Sequence, residues 1–224
     1  MKVQVIVAAG GAGQRLKNRL PKALVHLKKK PLVVYSLNVF QKSSLIDSVI
    51  VAAHKNYLAQ FKRVVSRYRL SKVKKIIPGG ATRRESVANG LKALDSDTDA
   101  VLIHDAARPF IGKELIKKTI SSLKKERAVI VAVPVTSTVK SADHSGCYVE
   151  ETLPRETLWE VQTPQAFKKD VILEAHRRVI EKDPCDDALL VERLGIRVKI
   201  IPGNYKNIKV TTKEDLMLAE SFLK

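Results

Sequence analysis

Three stretches of this 224-residue sequence join small residues to fixed charges, each directly after a short apolar run. The first is Ala8-Ala9-Gly10-Gly11-Ala12-Gly13-Gln14-Arg15-Leu16, with Pro21-Lys22 close behind. Small residues let backbone N–H groups come close to a phosphate chain, in space that larger side chains would fill. Arg15 and Lys22 add full positive charges that backbone dipoles cannot supply. Taken alone, the stretch also reads as a plain glycine-rich turn. Two common phosphate loops do not describe it: GxGxxG would need glycine at Leu16, and GxxxxGK[ST] has no match. What remains is nucleotide binding without a dinucleotide-fold or Walker signature.

The second stretch, Pro78-Gly79-Gly80-Ala81-Thr82-Arg83-Arg84-Glu85-Ser86, follows a strand and opens a helix. Its glycines and the Thr82 and Ser86 hydroxyls suit a base and ribose approached by main chain. Gly-Gly-Ala-Thr is equally an ordinary helix entry, with Thr82 as N-cap and Glu85 completing a capping box, and the two roles are compatible. The third stretch is His104-Asp105-Ala106-Ala107-Arg108-Pro109. An acid and an arginine beyond a strand end can hold a metal–phosphate group and a polyol, or can simply pair with each other. His104 reads as a packed or hydrogen-bonded residue rather than a catalytic one.

The elements that must position these loops follow from hydrophobic patterning. Strands are predicted at 3–8, 48–52, 73–77, 100–103 and 128–133, with helices at 32–41, 57–69, 83–94 and 113–125 between them. The strands are continuously apolar rather than alternating, so both of their faces must be covered. The fold class is therefore α/β, a mainly parallel twisted sheet with helices above and below. In such sheets ligands sit beyond the carboxyl ends of the strands at a topological switch point, where all three loops fall.

From Pro134 to Gln165 the pattern breaks. Thr138-Val139-Lys140 and Cys147-Tyr148-Val149 flank Asp143-His144-Ser145-Gly146 as a hairpin with a glycine-containing turn. The segment has too few large residues for its own core, so the chain is read as one domain, 1–224. A protruding β-hairpin arm at about 136–156 packs on a second subunit. Helices follow at 169–181 and 187–194, late strands at 197–200 and 207–210, and a closing helix at 212–222, capped by Thr212 with Asp215.

Composition narrows the function class. Apolar residues make up 45% of the chain, which is globular rather than disordered, and no apolar run approaches the ~20 residues of a membrane span. The strand pattern begins at Val3, leaving no room for a signal peptide. Cys147 and Cys185 stand outside any CxxC or Cys/His cluster, so neither zinc nor a disulfide framework is expected and the cytoplasm is the predicted compartment. The net charge of +18 would fit nucleic acid, but the lysines are scattered and aromatic residues are 5%, poor material for stacking bases. A basic surface also steers anionic metabolites.

Taken together and in order, these motifs resemble the 2-C-methyl-D-erythritol 4-phosphate cytidylyltransferase family nearly end to end. The likeness rests on Ala8-Ala9-Gly10 with Arg15 and Pro21-Lys22, on Gly79-Gly80 with Arg83 and Ser86-Val87, and on His104 to Pro109. It continues through Pro134-Val135, Thr138 and Lys140, Arg155, Leu158-Trp159, Thr163-Pro164-Gln165, Asp186-Asp187-Ala188 and Asn207 to Thr211. Ala81 departs from it, standing where the family often has an acidic residue. The resemblance implies a Rossmann-like nucleotidyltransferase fold, CTP and 2-C-methyl-D-erythritol 4-phosphate as substrates, and a homodimer with exchanged arms. Ala8, Ala9, Gly10, Gly13, Gly80, Ser86, Asp105 and Ala106 would line the nucleotide pocket. Asp105, Arg108, Thr163 and Lys209 would hold the acceptor, with Thr138 and Arg155 arriving from the partner's arm.

The implied chemistry is attack of the acceptor's phosphate oxygen on the α-phosphorus of CTP, with pyrophosphate leaving. Two like unit charges ~4 Å apart repel by about 4 kcal/mol at an effective dielectric of 20, so charge neutralisation and positioning dominate. Arg15 and Lys22 are assigned to the triphosphate and Lys209 to the α-phosphate and incoming phosphate. Magnesium would be bound through nucleotide phosphates, with no side chain assigned as a metal ligand. Ribitol 5-phosphate cytidylyltransferase is the alternative within this chemistry. A basic nucleic-acid-binding protein is the alternative from another class; no specific nucleic acid and no membrane are expected as partners.

Overall fold

In the computed structural model, which describes residues 1–11, 20–180 and 184–223, the first apolar run is strand β1 (Val3–Ala9), covered on both faces. A small hairpin, β2 (His26–Leu27) and β3 (Lys30–Pro31), leads into α1 (Leu32–Lys42). The α/β alternation then runs β4 (Ser48–Ala53), α2 (Leu58–Arg67), β5 (Val73–Pro78), α3 (Arg83–Lys92), β6 (Ala100–Asp105), α4 (Lys113–Leu123) and β7 (Ala128–Pro134). After β8 (Val139–Ala142) and β9 (Val149–Leu153) come β10 (Trp159–Lys168), α5 (Lys169–Arg178), α6 (Asp187–Glu192), β11 (Lys199–Pro202) and α7 (Lys213–Ser221).

Seven of the described strands form one sheet in the order β11-β7-β10-β6-β1-β4-β5. Only β10 runs antiparallel to its neighbours, β6 and β7. The expected mainly parallel α/β sheet is thus the observed one. Alternation along β1 explains the two layers. Val3, Val5 and Val7 pack with Val33, Leu37 and Phe40 of α1, Phe61 of α2 and Ile116 of α4. Ile6 packs on the other side with Val87 and Leu91 of α3, Val171 and Ile172 of α5, and Val191 of α6. The chain moves from β1 outward through β4 to β5, then returns to β1's other flank as β6. The switch point therefore lies where β1 and β6 end.

Four local expectations are corrected. No strand is predicted between the arm and Gln165, yet Trp159–Lys168 is the longest of the described strands, concealed by Gln162-Thr163-Pro164-Gln165 in its middle. Its pairing with β7 shifts register between Gln162 and Gln165, so proline, which has no N–H, sits at a bulge rather than in the ladder. Residues 207–210 are not a strand. Asn207 closes a turn on the Asn204 carbonyl, and the Val210 N–H bonds to the Ala107 carbonyl at 2.9 Å, laying this segment across the loop after β6. The late strand is Lys199–Pro202, and α5 ends at Arg178; the expected helix end at Glu181 lies outside the described residues. The arm is the separate two-stranded sheet β8–β9, mostly exposed, with Gly146 at φ 70° in its turn.

Candidate active site

A cavity of about 620 Å³ opens at the switch point, and all three motif-bearing loops line it. Ala8, Ala9, Gly10 and Gly11 come from the end of β1, Gly79 to Arg83 and Ser86 from the β5–α3 turn, and Asp105 to Ala107 from the end of β6. Lys22 and Lys209 complete it, together with His54 and Lys55 beyond β4. The first two loops pack directly on each other. A Cβ on Gly10 would lie 2.8 Å from Ser86 Oγ, and one on Gly79 would lie 2.9 Å from it, so neither position admits a side chain without displacement. Ser86 Oγ accepts from the Gly80 N–H at 3.1 Å and donates to the Thr82 carbonyl at 3.0 Å. Thr82 caps α3 as expected, accepting from the Glu85 N–H, but the Glu85 carboxylate accepts from the Ala81 N–H at 2.7 Å rather than from that of Thr82.

Charge gathers on the far wall. Asp105 Oδ1 accepts from Arg83 Nε at 2.9 Å, and Asp105 Oδ2 meets Lys209 Nζ at 2.7 Å. Arg83 Nη1 donates to Asp187 Oδ2 at 2.7 Å, and Asp187 Oδ1 lies 3.2 Å from His176 Nε2. Burial works to raise the Asp105 pKa, but Arg83 and Lys209 outweigh it and hold the carboxyl well below its ordinary range. Burial likewise opposes the Arg83 charge, and Asp105 with Asp187 more than restores it. Asp105 is therefore an anion at any working pH, with both oxygens engaged by cations.

Behind this wall the support is buried: a neutral His104 and the Thr163 hydroxyl beside the Arg108 guanidinium. Burial lowers the His104 pKa to about 4, so the imidazole carries one proton near neutral pH. The Arg108 carbonyl, 3.0 Å from Nε2, can only accept, so that nitrogen donates and Nδ1 accepts from the Thr163 hydroxyl at 3.0 Å. The same hydroxyl accepts from the Asp105 N–H at 3.1 Å. The Arg108 guanidinium donates to the carbonyls of Asn207 and Val161 at 2.7 and 3.1 Å, and Asn207 donates its side-chain amide to the Thr163 carbonyl at 2.9 Å. These contacts seat the 207–210 segment and explain how Lys209 reaches Asp105.

Of the residues singled out in the sequence, Ala8, Ala9, Gly10, Lys22, Gly80, Ser86, Asp105, Ala106 and Lys209 share this cavity. Thr163 and Arg108 lie directly behind it, 5% and 6% exposed. Thr138 and Arg155 stand exposed at the arm, Arg155 donating to the Thr136 carbonyl at 2.9 Å. Gly13 and Arg15 lie outside the described residues. Sequence reasoning assigned no role to His54, Lys55, Arg83, Asp187 or His176. Arg83 and Asp187 carried a signal, since both stand in the recognised motifs.

The 2-C-methyl-D-erythritol 4-phosphate cytidylyltransferase family model matches residues 3–224. The protein of that name from Alkaliphilus metalliredigens is 43% identical across 99% of this chain and 93% of its own length. The one from Syntrophus aciditrophicus is 40% identical across 100% of this chain and 96% of its own. Among solved structures, 4-diphosphocytidyl-2C-methyl-D-erythritol synthase from Anaerococcus prevotii superimposes with a TM-score of 0.86 at 32% identity, covering 99% of this chain and 98% of that one. With family motifs, fold and full-length relatives in agreement, this chain belongs to the 2-C-methyl-D-erythritol 4-phosphate cytidylyltransferase family.

Proposed function

We propose that this chain transfers the cytidylyl group of CTP to 2-C-methyl-D-erythritol 4-phosphate, giving 4-diphosphocytidyl-2-C-methyl-D-erythritol and pyrophosphate in the non-mevalonate route to isoprenoids. The observation that carries the reading is the single cavity in which two small-residue loops, Lys22 and the Asp105–Lys209 pair converge. The glycine-lined floor suits a nucleotide approached by main-chain N–H groups. Asp105, an anion near the ends of β1 and β6, accepts hydrogen bonds from polyol hydroxyls. Lys22 and Lys209 offset the repulsion between two phosphate-bearing reactants, which is the main barrier to this transfer. The acceptor phosphate is already ionised near neutral pH, so no side chain need act as nucleophile or general base.

Magnesium fits this site through the nucleotide rather than through a protein cage. Among the described residues no group of three or more His, Cys, Asp or Glu side chains gathers, and the Arg83 and Lys209 charges on Asp105 oppose a further cation there. When bound to the triphosphate, the ion would neutralise charge there while keeping several waters. The arm supports assembly as a homodimer: Tyr148 and Val149 are 75% and 59% exposed, with Trp159 at the arm's base. Thr138 and Arg155 of each arm then belong to the other subunit's acceptor site. Two free, exposed cysteines, Cys147 and Cys185, and the absence of a membrane-length apolar helix among the described residues are compatible with the cytoplasm.

Pyrophosphate release tests the proposal, with CTP, UTP, ATP and GTP each offered against 2-C-methyl-D-erythritol 4-phosphate and ribitol 5-phosphate. Turnover is expected with CTP and the methylerythritol phosphate. Preference for ribitol 5-phosphate would reassign the acceptor, and no turnover with any pair would remove the reading.

A further inference from the structure

Beyond the cavity wall, the charge cluster continues into the protein. Asp187, the first residue of α6, is 2% exposed, yet both of its oxygens are engaged, by Arg83 and by His176 of α5. The line of contacts runs from His176 to Asp187, Arg83, Asp105 and Lys209, joining five parts of the chain.

Asp187 is firmly placed. Its own N–H donates to Gln165 Oε1 at 3.1 Å, and Gln165 Nε2 donates to Asp186 Oδ2 at 2.7 Å. Asp186 caps α6 by accepting from the Leu189 N–H at 2.9 Å. The α6 entry is therefore pinned to β10 at the side chain next to Thr163 and Pro164.

Stability alone is a weak reason for this arrangement, because buried ion pairs are often replaced by apolar groups without loss. Geometry supplies a better one. The guanidinium is a planar fork whose Nε and Nη1 directions are rigidly related. Holding Nη1 on Asp187 fixes the direction of Nε, and with it the position of the Asp105 carboxylate. Arg83 anchored at only one end could rotate toward an incoming phosphate.

We infer that Asp187, backed by His176, is a positioning residue for the transfer: it touches no substrate, and it orients Arg83 so that Asp105 is held in place for the acceptor. This rests on the functional reading above, in which Asp105 holds the polyol phosphate.

Asp187→Asn keeps the shape of the side chain, but its amide can accept from only one of the two donors. The KM for 2-C-methyl-D-erythritol 4-phosphate is expected to rise ~10-fold or more, the scale of one lost hydrogen bond to a charged group. The KM for CTP should change less than about 2-fold, because the loop's contact with Asp187 is made by Arg83, whose Nε is turned to Asp105, and not by the glycines or Ser86 that face the nucleotide. Should D187N not fold, the outer end of the line serves instead. His176→Leu should raise the acceptor KM, and His176→Gln, which can still donate to Asp187, should restore it. A merely structural role would lower kcat and the unfolding midpoint with both KM values unchanged, and would overturn the inference, as would parallel changes in both KM values. Failure of the wild type to turn over any substrate pair overturns the functional reading instead.

Discussion

Lys209 sets its ammonium 2.7 Å from Asp105, on the carboxylate oxygen that Arg83 leaves open. The pair joins two residues given to the acceptor, and each governs the other's charge. Lys209 is among the cations that keep Asp105 ionised in a buried place, and Asp105 draws Lys209 to the cavity wall. A phosphate arriving there must share this lysine with the carboxylate. Lys209→Met is expected to lower kcat/KM by ~10²-fold or more, the loss typical of one transition-state charge contact. A near-normal value in steady-state assays would mean that Lys209 serves Asp105 alone.

Lys22 follows Pro21 at the start of a short helical turn whose backbone is tied to Gly11. Lys22→Ala is expected to reduce kcat by ~10²-fold or more, because its charge is assigned to the developing pentavalent centre as well as to the triphosphate. Single-turnover measurements check this. An effect confined to the KM for CTP would leave Lys22 a binding role only.

Mixed dimers test the arm. Arg155→Ala disables a site through the arm and Lys22→Ala through the cavity. Half of randomly reassorted two-fold dimers are hybrids with one intact site each, so an equal mixture should recover about a quarter of wild-type activity. No recovery despite demonstrated subunit exchange would place each site within one chain.

His104 predicts an acid-sensitive fold. Burial depresses its pKa from 6.5 to about 4, so below pH 6.5 the unfolded chain takes up a proton that the folded one refuses. Stability is then complete above pH 6.5 and falls by up to ~3 kcal/mol as the pH approaches 4. The depressed Asp105 acts in the same sense, but only below its ordinary value of 3.8. Urea unfolding midpoints between pH 7 and pH 4 should fall in the wild type and stay flatter in His104→Asn. Equal slopes would assign the acid sensitivity elsewhere.

The legible parts of this protein were those with local causes. Continuous apolar runs marked β1, β4, β6 and β7 because strands covered on both faces have no polar side to show, whereas β5 at the sheet edge carries Lys74 and Lys75 and is only partly buried. Glycines and hydroxyls marked the β1 and β5 loops because close backbone approach needs missing side chains. Strand β10 escaped because a polar bulge containing Pro164 interrupts its pattern. The 207–210 segment misled because Ile208 and Val210 alternate like strand residues, although their burial comes from packing with Leu27 of β2, Leu32 of α1 and Ala219 of α7 rather than from strand pairing.

The order of amino acids by itself determined the α/β layering, the three loops beyond the strand ends and the family. All three rest on spacing and side-chain size along short stretches. Only the tertiary structure decided that Lys209 reaches Asp105 and that Arg83 bridges to Asp187 and His176. Those contacts join residues far apart in the chain, and their geometry is set by the sheet order and by the buried Thr163–His104–Arg108 support. No local propensity encodes such distances; packing does.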